Sequence, residues 1–506
     1  MSTRWEVGRN EVVYVERYLS GRAVTVVDHS DGDGPLYAPS KRVYPQSVRG
    51  TYRTIKWIVL VITLGIYYAL PFVRWDRGPN APGQAVLIDF PSSRFYFFFI
   101  EIWPQEVYYI TGLLVLAAMT LFFMNAVAGR VWCGYLCPQT VWTDLFYAVE
   151  RFFEGDRRER MRNAAGKMTL ELAARKAAKH TTWLLIAWWT GGAWVLYFAD
   201  APTLVRQLAT FNAPAVAWIW IGILTFTTYS LAGFMREQVC IYMCPWPRIQ
   251  AALTDEHALN VTYRYDRGEP RGALKRNEAL REQGLPAGDC IDCGQCVAVC
   301  PTGVDIRKGL QVDCIQCGLC IDACDSIMAR IDRPPRLIAY DTDLNVRKRQ
   351  LGEAASGTRL VRGRTVLYAA IMLVVGGIML FSLATRDVSG LAVIHDRNPL
   401  FVALRDGSIR NAYTIRLLNK ELEARRFVVT VEGLEGAELE IVGATAGGAV
   451  KPVIEVGPDR TAEARVLVTR RGAPLADDSV PVTFVITDEI TGVSARASDH
   501  FMGPHK

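Results

Sequence analysis

The sequence predicts a multidomain membrane protein: an α-helical transmembrane bundle of five spans, a cysteine-rich insert before the last span, and an all-β sandwich at the carboxyl end. Three observations predict it. Half of the 506 residues are hydrophobic and thirteen are tryptophan, which is membrane-like for a chain that keeps long charged stretches. Eight of the twelve cysteines crowd between Cys290 and Cys324. Beyond Arg386 the chain turns to short β-branched runs separated by Gly, Pro and Asp. The formal net charge of +6 comes from basic residues that flank apolar runs and mix with acids. It reads as membrane topology and not as a nucleic-acid footprint.

Taken in order, residues 1–54 contain no short apolar run followed by a small-residue cleavage site, so an uncleaved cytoplasmic segment is expected there. A hydrocarbon core about 30 Å thick needs about 20 apolar residues in helical form. Five stretches meet that need: Ile55 to Val73, Val107 to Val127, Thr182 to Phe198, Val216 to Phe234 and Thr365 to Leu383. The third is short, but Trp183, Trp188, Trp189 and Trp194 suit an interfacial helix wall. Phe95 to Trp103 is apolar yet broken by Glu101, and Pro104 follows it, so an interfacial or re-entrant piece is expected, with Glu101 at the outer surface. The first four spans fill 55–250, the insert 251–364, the fifth span 365–385 and the β region 386–506.

Basic residues set the orientation. Arg151, Arg157, Arg158, Arg160, Arg162, Lys167, Arg175 and Lys176 crowd the loop after the second span, and many more lie between Arg236 and Arg364. The positive-inside rule then puts the amino terminus, that loop and the insert in the cytoplasm of a bacterial inner membrane. An odd number of spans leaves the tail in the periplasm. There Phe427 to Glu432, Leu439 to Val442, Ala464 to Val468 and Val480 to Ile486 read as strands of a cysteine-free sandwich of about one hundred residues.

The insert carries two cysteine runs: Cys290, Cys293, Cys296, Cys300 with Pro301 behind it, then Cys314, Cys317, Cys320, Cys324. This is the spacing of a bacterial-type ferredoxin with two 4Fe-4S clusters, in which three thiolates of one run hold a cubane and the fourth reaches across to its neighbour. The expected sets are Cys290, Cys293, Cys296 and Cys324 for one cluster, and Cys300, Cys314, Cys317 and Cys320 for the other. Zinc takes four thiolates too, but usually from two short knuckles. Asp325 stands where the bacterial pattern has proline, which bears on the local turn more than on the ligand.

The other four cysteines form two Cys-x3-Cys-Pro motifs, Cys133 and Cys137 before Pro138, and Cys240 and Cys244 before Pro245, each just past an inward-running span. A three-residue gap is expected to place each pair one turn apart on one helix face, so that four thiolates could meet in a single catalytic redox or metal site at the membrane surface. The bland alternative is four buried small hydrophobes; structural disulfides are disfavoured in a reducing cytosol. Met124, Met235 and Met243 are soft auxiliary candidates, although packing explains them as readily. His180 and His257 stand alone and read as interfacial or surface residues. Asp144 and Glu150 read as a solvated helix face.

On these residues the chain resembles the cytochrome c oxidase accessory proteins of the FixG, RdxA and CcoG type, within the membrane polyferredoxins. Tyr44-Pro-Gln46, Asn411-Ala-Tyr413 and Leu418-Asn-Lys420 extend the resemblance to both ends. It implies an immunoglobulin-like tail and a cupric reductase that supplies Cu(I) for assembly of cbb3-type oxidase. The partners implied are copper ions, a cytoplasmic electron donor, and oxidase subunits or copper chaperones. Two other classes stay open: a NapH-like quinol-linked electron-transfer subunit, and a non-enzymatic assembly scaffold.

Overall fold

A backbone inside hydrocarbon must satisfy its own hydrogen bonds, so long apolar runs fold as helices. The computed structural model describes residues 3–6, 12–17, 23–28, 42–78, 81–386, 389–421, 423–442, 452–458, 460–471 and 478–504. Among them four helical segments are long and apolar enough to cross a membrane: Thr51–Phe72, Pro104–Ala128, Ala215–Met235 and Gly363–Ala384. These hold the first, second, fourth and fifth expected spans. The third falls in the second half of a 26-residue helix, Leu170–Val195. Glu171, Arg175, Lys176 and Lys179 in its first half, and tryptophans in its second, dilute its apolar character.

The chain divides into two compact units, Met1–Tyr44 and Pro45–Lys506. In the smaller, β1 (Thr3–Glu6), β2 (Val12–Arg17) and β3 (Ala23–Asp28) form an antiparallel sheet in that order, carried by β-branched runs that sequence reasoning did not assign to strands.

The larger unit begins with α1 (Thr51–Ala69). A hairpin sheet of β4 (Val86–Asp89), β5 (Arg94–Phe97) and β6 (Ile100–Ile102) follows, and most of Phe95 to Trp103, expected as an interfacial or re-entrant piece, lies in its last two strands. Aromatic and β-branched residues favour strands there. Glu101 is not a solvated surface group. Its side chain is 13% exposed and pairs with Arg94 at 3.1 Å, while Arg94 stacks over Trp103.

Next come α2 (Tyr108–Ala128), α3 (Pro138–Glu154), α4 (Arg157–Ala165), α5 (Leu170–Val195), α6 (Ala201–Ala209), α7 (Ala215–Thr228) and α8 (Trp246–Leu253). Helix α5 packs along α7 and α3. The insert is closed at its base by β7 (Leu259–Tyr263) paired with β8 (Ile338–Thr342). Between and after them lie α9 (Tyr265–Gly268), α10 (Leu274–Glu282), α11 (Gln295–Ala298), α12 (Leu319–Arg330) and α13 (Asp343–Gln350). Helix α14 (Gly363–Ala384) packs on α2.

The tail is two antiparallel sheets over one core. The first has the order β10 (Val402–Ala403), β11 (Ile409–Asn419), β15 (Arg460–Arg470), β13 (Ala437–Ile441), with β9 (Ser389–His395) also on β11. The second runs β14 (Val453–Val456), β12 (Arg425–Glu432), β16 (Ser479–Asp488), β17 (Ser494–Met502). Strand alternation sends Tyr413, Ile415 and Leu417 from one sheet, and Val482, Phe484 and Ile486 from the other, into the shared core. The tail also docks on the membrane region: Lys420 pairs with buried Glu106 at 2.7 Å.

Asp144 and Glu150, expected on a solvated face, are buried in ion clusters. Glu150 is 1% exposed and pairs with Arg160 at 2.9 Å and Arg236 at 3.0 Å. Asp144 pairs with Arg53 at 2.8 Å and Lys56 at 3.5 Å. The cations come from α1, α4 and the end of the fourth span, so distance in sequence hid the pairing. Burial by itself raises both carboxyls, but Arg236 and Arg160 on Glu150, and Lys56 and Arg53 on Asp144, outweigh it and hold both below the ordinary carboxylate range. Their stabilisation is therefore present in full above about pH 5 and is lost as pH falls through the lowered values. Glu150→Gln leaves buried cations uncompensated and should cost roughly 3–5 kcal/mol. Thermal unfolding of the purified chain at pH 7 should show a lowered Tm, and the gap to the wild type should narrow on acidification.

Candidate electron-transfer site

Each Cys-x3-Cys-Pro motif is built the same way. Proline disfavours helical backbone in the residue before it, so Cys137 and Cys244 are extended, with ψ of 126° and 121°. The turn between the cysteines widens to accommodate this: Cys137 N–H donates to Trp132 O at 2.9 Å and Cys244 N–H donates to Val239 O at 2.8 Å, both five residues back. The two cysteines of a pair thus bracket a π-type turn, in place of the expected single face of a straight helix. Pro138 then opens α3, and Pro245 precedes α8.

The four thiols come within electrostatic reach of one another. Burial pushes the Cys133 thiol up to about 12, and Cys137, Cys240 and Cys244 add to it while Arg130 opposes. Burial likewise pushes Cys240 up to about 12, reinforced by Cys137 and Cys244. The Cys133 thiol donates to Gln250 Oε1 at 3.2 Å, which ties the first motif to α8 after the second. Among the described residues no three His, Cys, Asp or Glu side chains converge closely enough for a single metal ion. His180 is held by the Tyr229 hydroxyl at 2.9 Å and stacks on Phe234. His257 lies in the turn that follows Asp255, to which its N–H donates. Met243 is exposed, and Met124 and Met235 are half-buried.

The eight insert cysteines divide between two pockets. Cys290, Cys293, Cys296 and Cys324 line one, together with Tyr263 and Met328. Cys300, Cys314, Cys317 and Cys320 line the other, with Cys296 at its edge. All are free thiols. Paired left-handed turns shape both walls: Asp292 and Gly294 have φ of 54° and 64°, and Gln316 and Gly318 have 55° and 75°. Gly294 and Gly318 then cap α11 and α12. Four sulfur donors around an apolar pocket fit a cubane cluster, whose irons each take one thiolate. Burial pushes Cys314 and Cys324 up to about 12, with Cys300 adding to the first and Cys296 to the second, so ligation must displace protons. Helix α12 runs straight through Cys324, and Asp325 fixes the next loop by accepting from Arg336 N–H at 2.7 Å. No proline is needed at that position.

The insert and the first membrane-face motif interlock. A Cβ on Gly134 would lie 2.8 Å from Ile315 O and 3.1 Å from Cys317 Cα, so only glycine allows this approach. Tyr135 OH donates to Cys317 O at 2.9 Å, and Arg130 N–H donates to Gln316 Oε1 at 2.8 Å. Cys133, Ile315, Cys317 and Leu319 share one apolar cluster, with Trp132, Trp246 and Cys320 packed on it.

Sequence models agree with this layout. One for a 4Fe-4S dicluster domain matches residues 235–343, one for a 4Fe-4S binding domain matches 110–155, and one for the IG-like fold at the C-terminal of FixG matches 379–504. Nitrogen fixation protein FixG of Rhizobium meliloti (strain 1021) is 48% identical over 461 residues, 86% of this chain and 88% of that protein. Protein RdxA of Cereibacter sphaeroides is 50% identical over 456 residues, 90% of this chain and 93% of its own length. Protein RdxB of the same organism is 48% identical over 445 residues, 87% and 92%. The chain belongs to the FixG/RdxA family. It is an iron-sulfur electron-transfer protein of the membrane, with an IG-like carboxyl-terminal domain.

Within this FixG/RdxA chain, sequence reasoning passed over Arg130, Gly134, Tyr135 and Gln250. One signal was present: the first motif has Gly134 after its first cysteine where the second has Ile241. A residue without Cβ in only one of two matching turns marks the turn that another backbone approaches. Cys293→Ser and Cys317→Ser each remove one ligand from a different pocket. Each should lower iron and acid-labile sulfide by up to about half while the membrane region stays inserted. Metal analysis of both purified variants checks this; unchanged iron in both would separate these cysteines from cluster binding.

Proposed function

We propose that this protein is a cupric reductase that delivers Cu(I) for assembly of cbb3-type cytochrome c oxidase, with Cys133, Cys137, Cys240 and Cys244 as the copper-handling residues. The observation that carries this reading is the contact of the Cys317 peptide with Gly134, inside the first Cys-x3-Cys-Pro motif. The two clusters, when bound, supply one-electron reducing equivalents on the insert side of that contact. On the other side, thiols favour Cu(I) over Cu(II) because the reduced ion is soft. Cu(II) gains one electron, and the thiols that take up Cu(I) release protons. Two thiolates suffice for Cu(I), so the open spacing of the four sulfurs is compatible with capture by one pair and transfer to the other. The electron donor is cytoplasmic.

Five crossings fit this role. Helix α5 is about 39 Å long at 1.5 Å per residue, enough to span. At its first half Lys179 pairs with Glu154 at 2.7 Å, beside the ion cluster at the cysteine-bearing ends of the other helices. Beyond its other end, Ile88 N–H donates to Tyr197 O at 2.8 Å, on the hairpin side. With the basic loops in the cytoplasm, the IG-like domain lies in the periplasm of the inner membrane, where it meets oxidase subunits or a copper chaperone.

A second reading has its own support. The 4Fe-4S binding domain match over 110–155 includes Cys133 and Cys137, so the four membrane-face cysteines are candidates for a further cluster. Iron content separates the two: about eight irons per chain for two cubanes, about twelve for three.

Cys137→Ala and Cys244→Ala should leave the iron-sulfur spectrum intact and abolish Cu(II) reduction and Cu(I) binding. Gly134→Val, which forces the interlock apart, should keep the iron and slow reduction at least tenfold. A chemical reductant that reaches the clusters directly keeps loss of a donor from mimicking these results. Undiminished reduction in the quadruple alanine variant would sink the copper assignment. Reporter fusions should show cytoplasm after Arg162 and Arg336 and periplasm after Gly457; a cytoplasmic signal at Gly457 would remove α5 from the spans.

A further inference from the structure

A cavity of about 950 Å³ opens between the membrane region and the insert. Its floor is the start of α1, one wall is α3 and α4, and its roof is formed by α11 and α12, the two helices that carry Cys296, Cys320 and Cys324. Its lining is strongly unbalanced in charge. Arg49, Arg53, Arg151, Arg158 and Arg330 face it, and Asp144 is its single carboxylate. Asp144 is already committed, with both oxygens accepting from Arg53 at 2.8 Å and one lying 3.5 Å from Lys56. Among the described residues Arg49, Arg151, Arg158 and Arg330 make no ion pair, although other arginines of this face are paired. Arg53 Nη2 is buried without a hydrogen-bond partner, and its guanidinium lies 4.5 Å from the Trp57 ring.

Arg49, Arg158 and Arg330 reach solvent at the rim, while Arg151 is half-buried and Arg53 buried, so water screens part of their mutual repulsion and the concave space keeps a positive field that attracts an anion. Guanidinium geometry suits the paired oxygens of a phosphate, and the volume lies within the range of small-molecule sites, about 300–1,000 Å³. We propose that this cavity binds a phosphate-bearing anion between the membrane rim and the two cluster-bearing helices. Two sources share that chemistry: the headgroup of an anionic phospholipid, and a soluble phosphorylated redox nucleotide. The site is independent of the copper reading, because none of its arginines lies in a Cys-x3-Cys-Pro motif.

The test uses the full chain in neutral detergent, with its iron-sulfur absorbance as the check of folding. One arm adds nanodiscs of phosphatidylglycerol against phosphatidylcholine; the other titrates NADH and FMN. Binding is read from quenching of tryptophan fluorescence and from thermal shift. The wild type should bind phosphatidylglycerol or one nucleotide, which names the source. The paired variant Arg151→Gln with Arg158→Gln should weaken that binding at least tenfold, and Arg330→Gln should weaken it severalfold. Arg175→Gln, an exposed arginine of α5 paired to Glu171, should change nothing. If no probe binds above the phosphatidylcholine and chloride controls, or if the folded variants bind as tightly as the wild type, the proposal is overturned.

Discussion

The contact on which this molecule depends is the seating of the Cys317 peptide on Gly134. It brings a cluster-pocket wall into van der Waals range of a membrane-face cysteine turn, and Tyr135 and Arg130 lock it with hydrogen bonds to the same loop. The two backbones can meet this closely only because Gly134 has no Cβ, and polar groups at the contact are satisfied: Gly134 N–H donates to Arg130 O at 3.2 Å and Cys317 O accepts from Tyr135 OH. The electron transfer proposed between the insert and the membrane face needs such proximity, and a flexible tether would not hold it.

Holding an insert rigidly against a membrane bundle calls for charge as well as packing. Glu150 and Asp144 collect cations from α1, α4 and the end of the fourth span. Pro45 O accepts from Arg160, and Gln46 N–H donates to Ala298 O at 2.8 Å, so the segment before α1 ties α4 to α11. Asp322 of α12 caps the first turn of α1, accepting from Arg53 N–H at 2.8 Å. Buried ion clusters are costly to desolvate, yet removing one partner costs more, which makes this junction specific. At the opposite face Lys420 and Glu106 fix the IG-like domain.

The basic loops also show two uses for the same residue type. Arg160 and Arg236 are consumed in pairs, while Arg151, Arg158 and Arg330 line an open cavity. The positive-inside rule predicts that arginines lie on one side of a membrane; it does not say which of them find carboxylates.

Much of the architecture could be read from the chain. Apolar run length named five spans, and four of them are helices long and apolar enough to cross, because hydrocarbon thickness imposes length directly on sequence. The double-ferredoxin spacing gave the two sets of insert thiols that line two pockets, three from each short run plus the fourth cysteine of the other run. Period-two alternation marked the core strands of the tail. What the sequence could not decide was everything that depends on partners far along the chain. Asp144 and Glu150 looked solvated because their cations lie in other elements. The hairpin at Val86–Ile102 hid as an apolar fragment, since a strand shows its pairing only when its neighbour is in place. The cysteine pairs were expected on straight helix faces, and the following prolines turned them into π-type turns. Gly134, one of 41 glycines, became singular only when the Cys317 loop came to rest on it. Local spacing gathers three thiols of each pocket because short loops fix their reach; only tertiary packing brings the fourth from the other run and decides which pocket stands next to which.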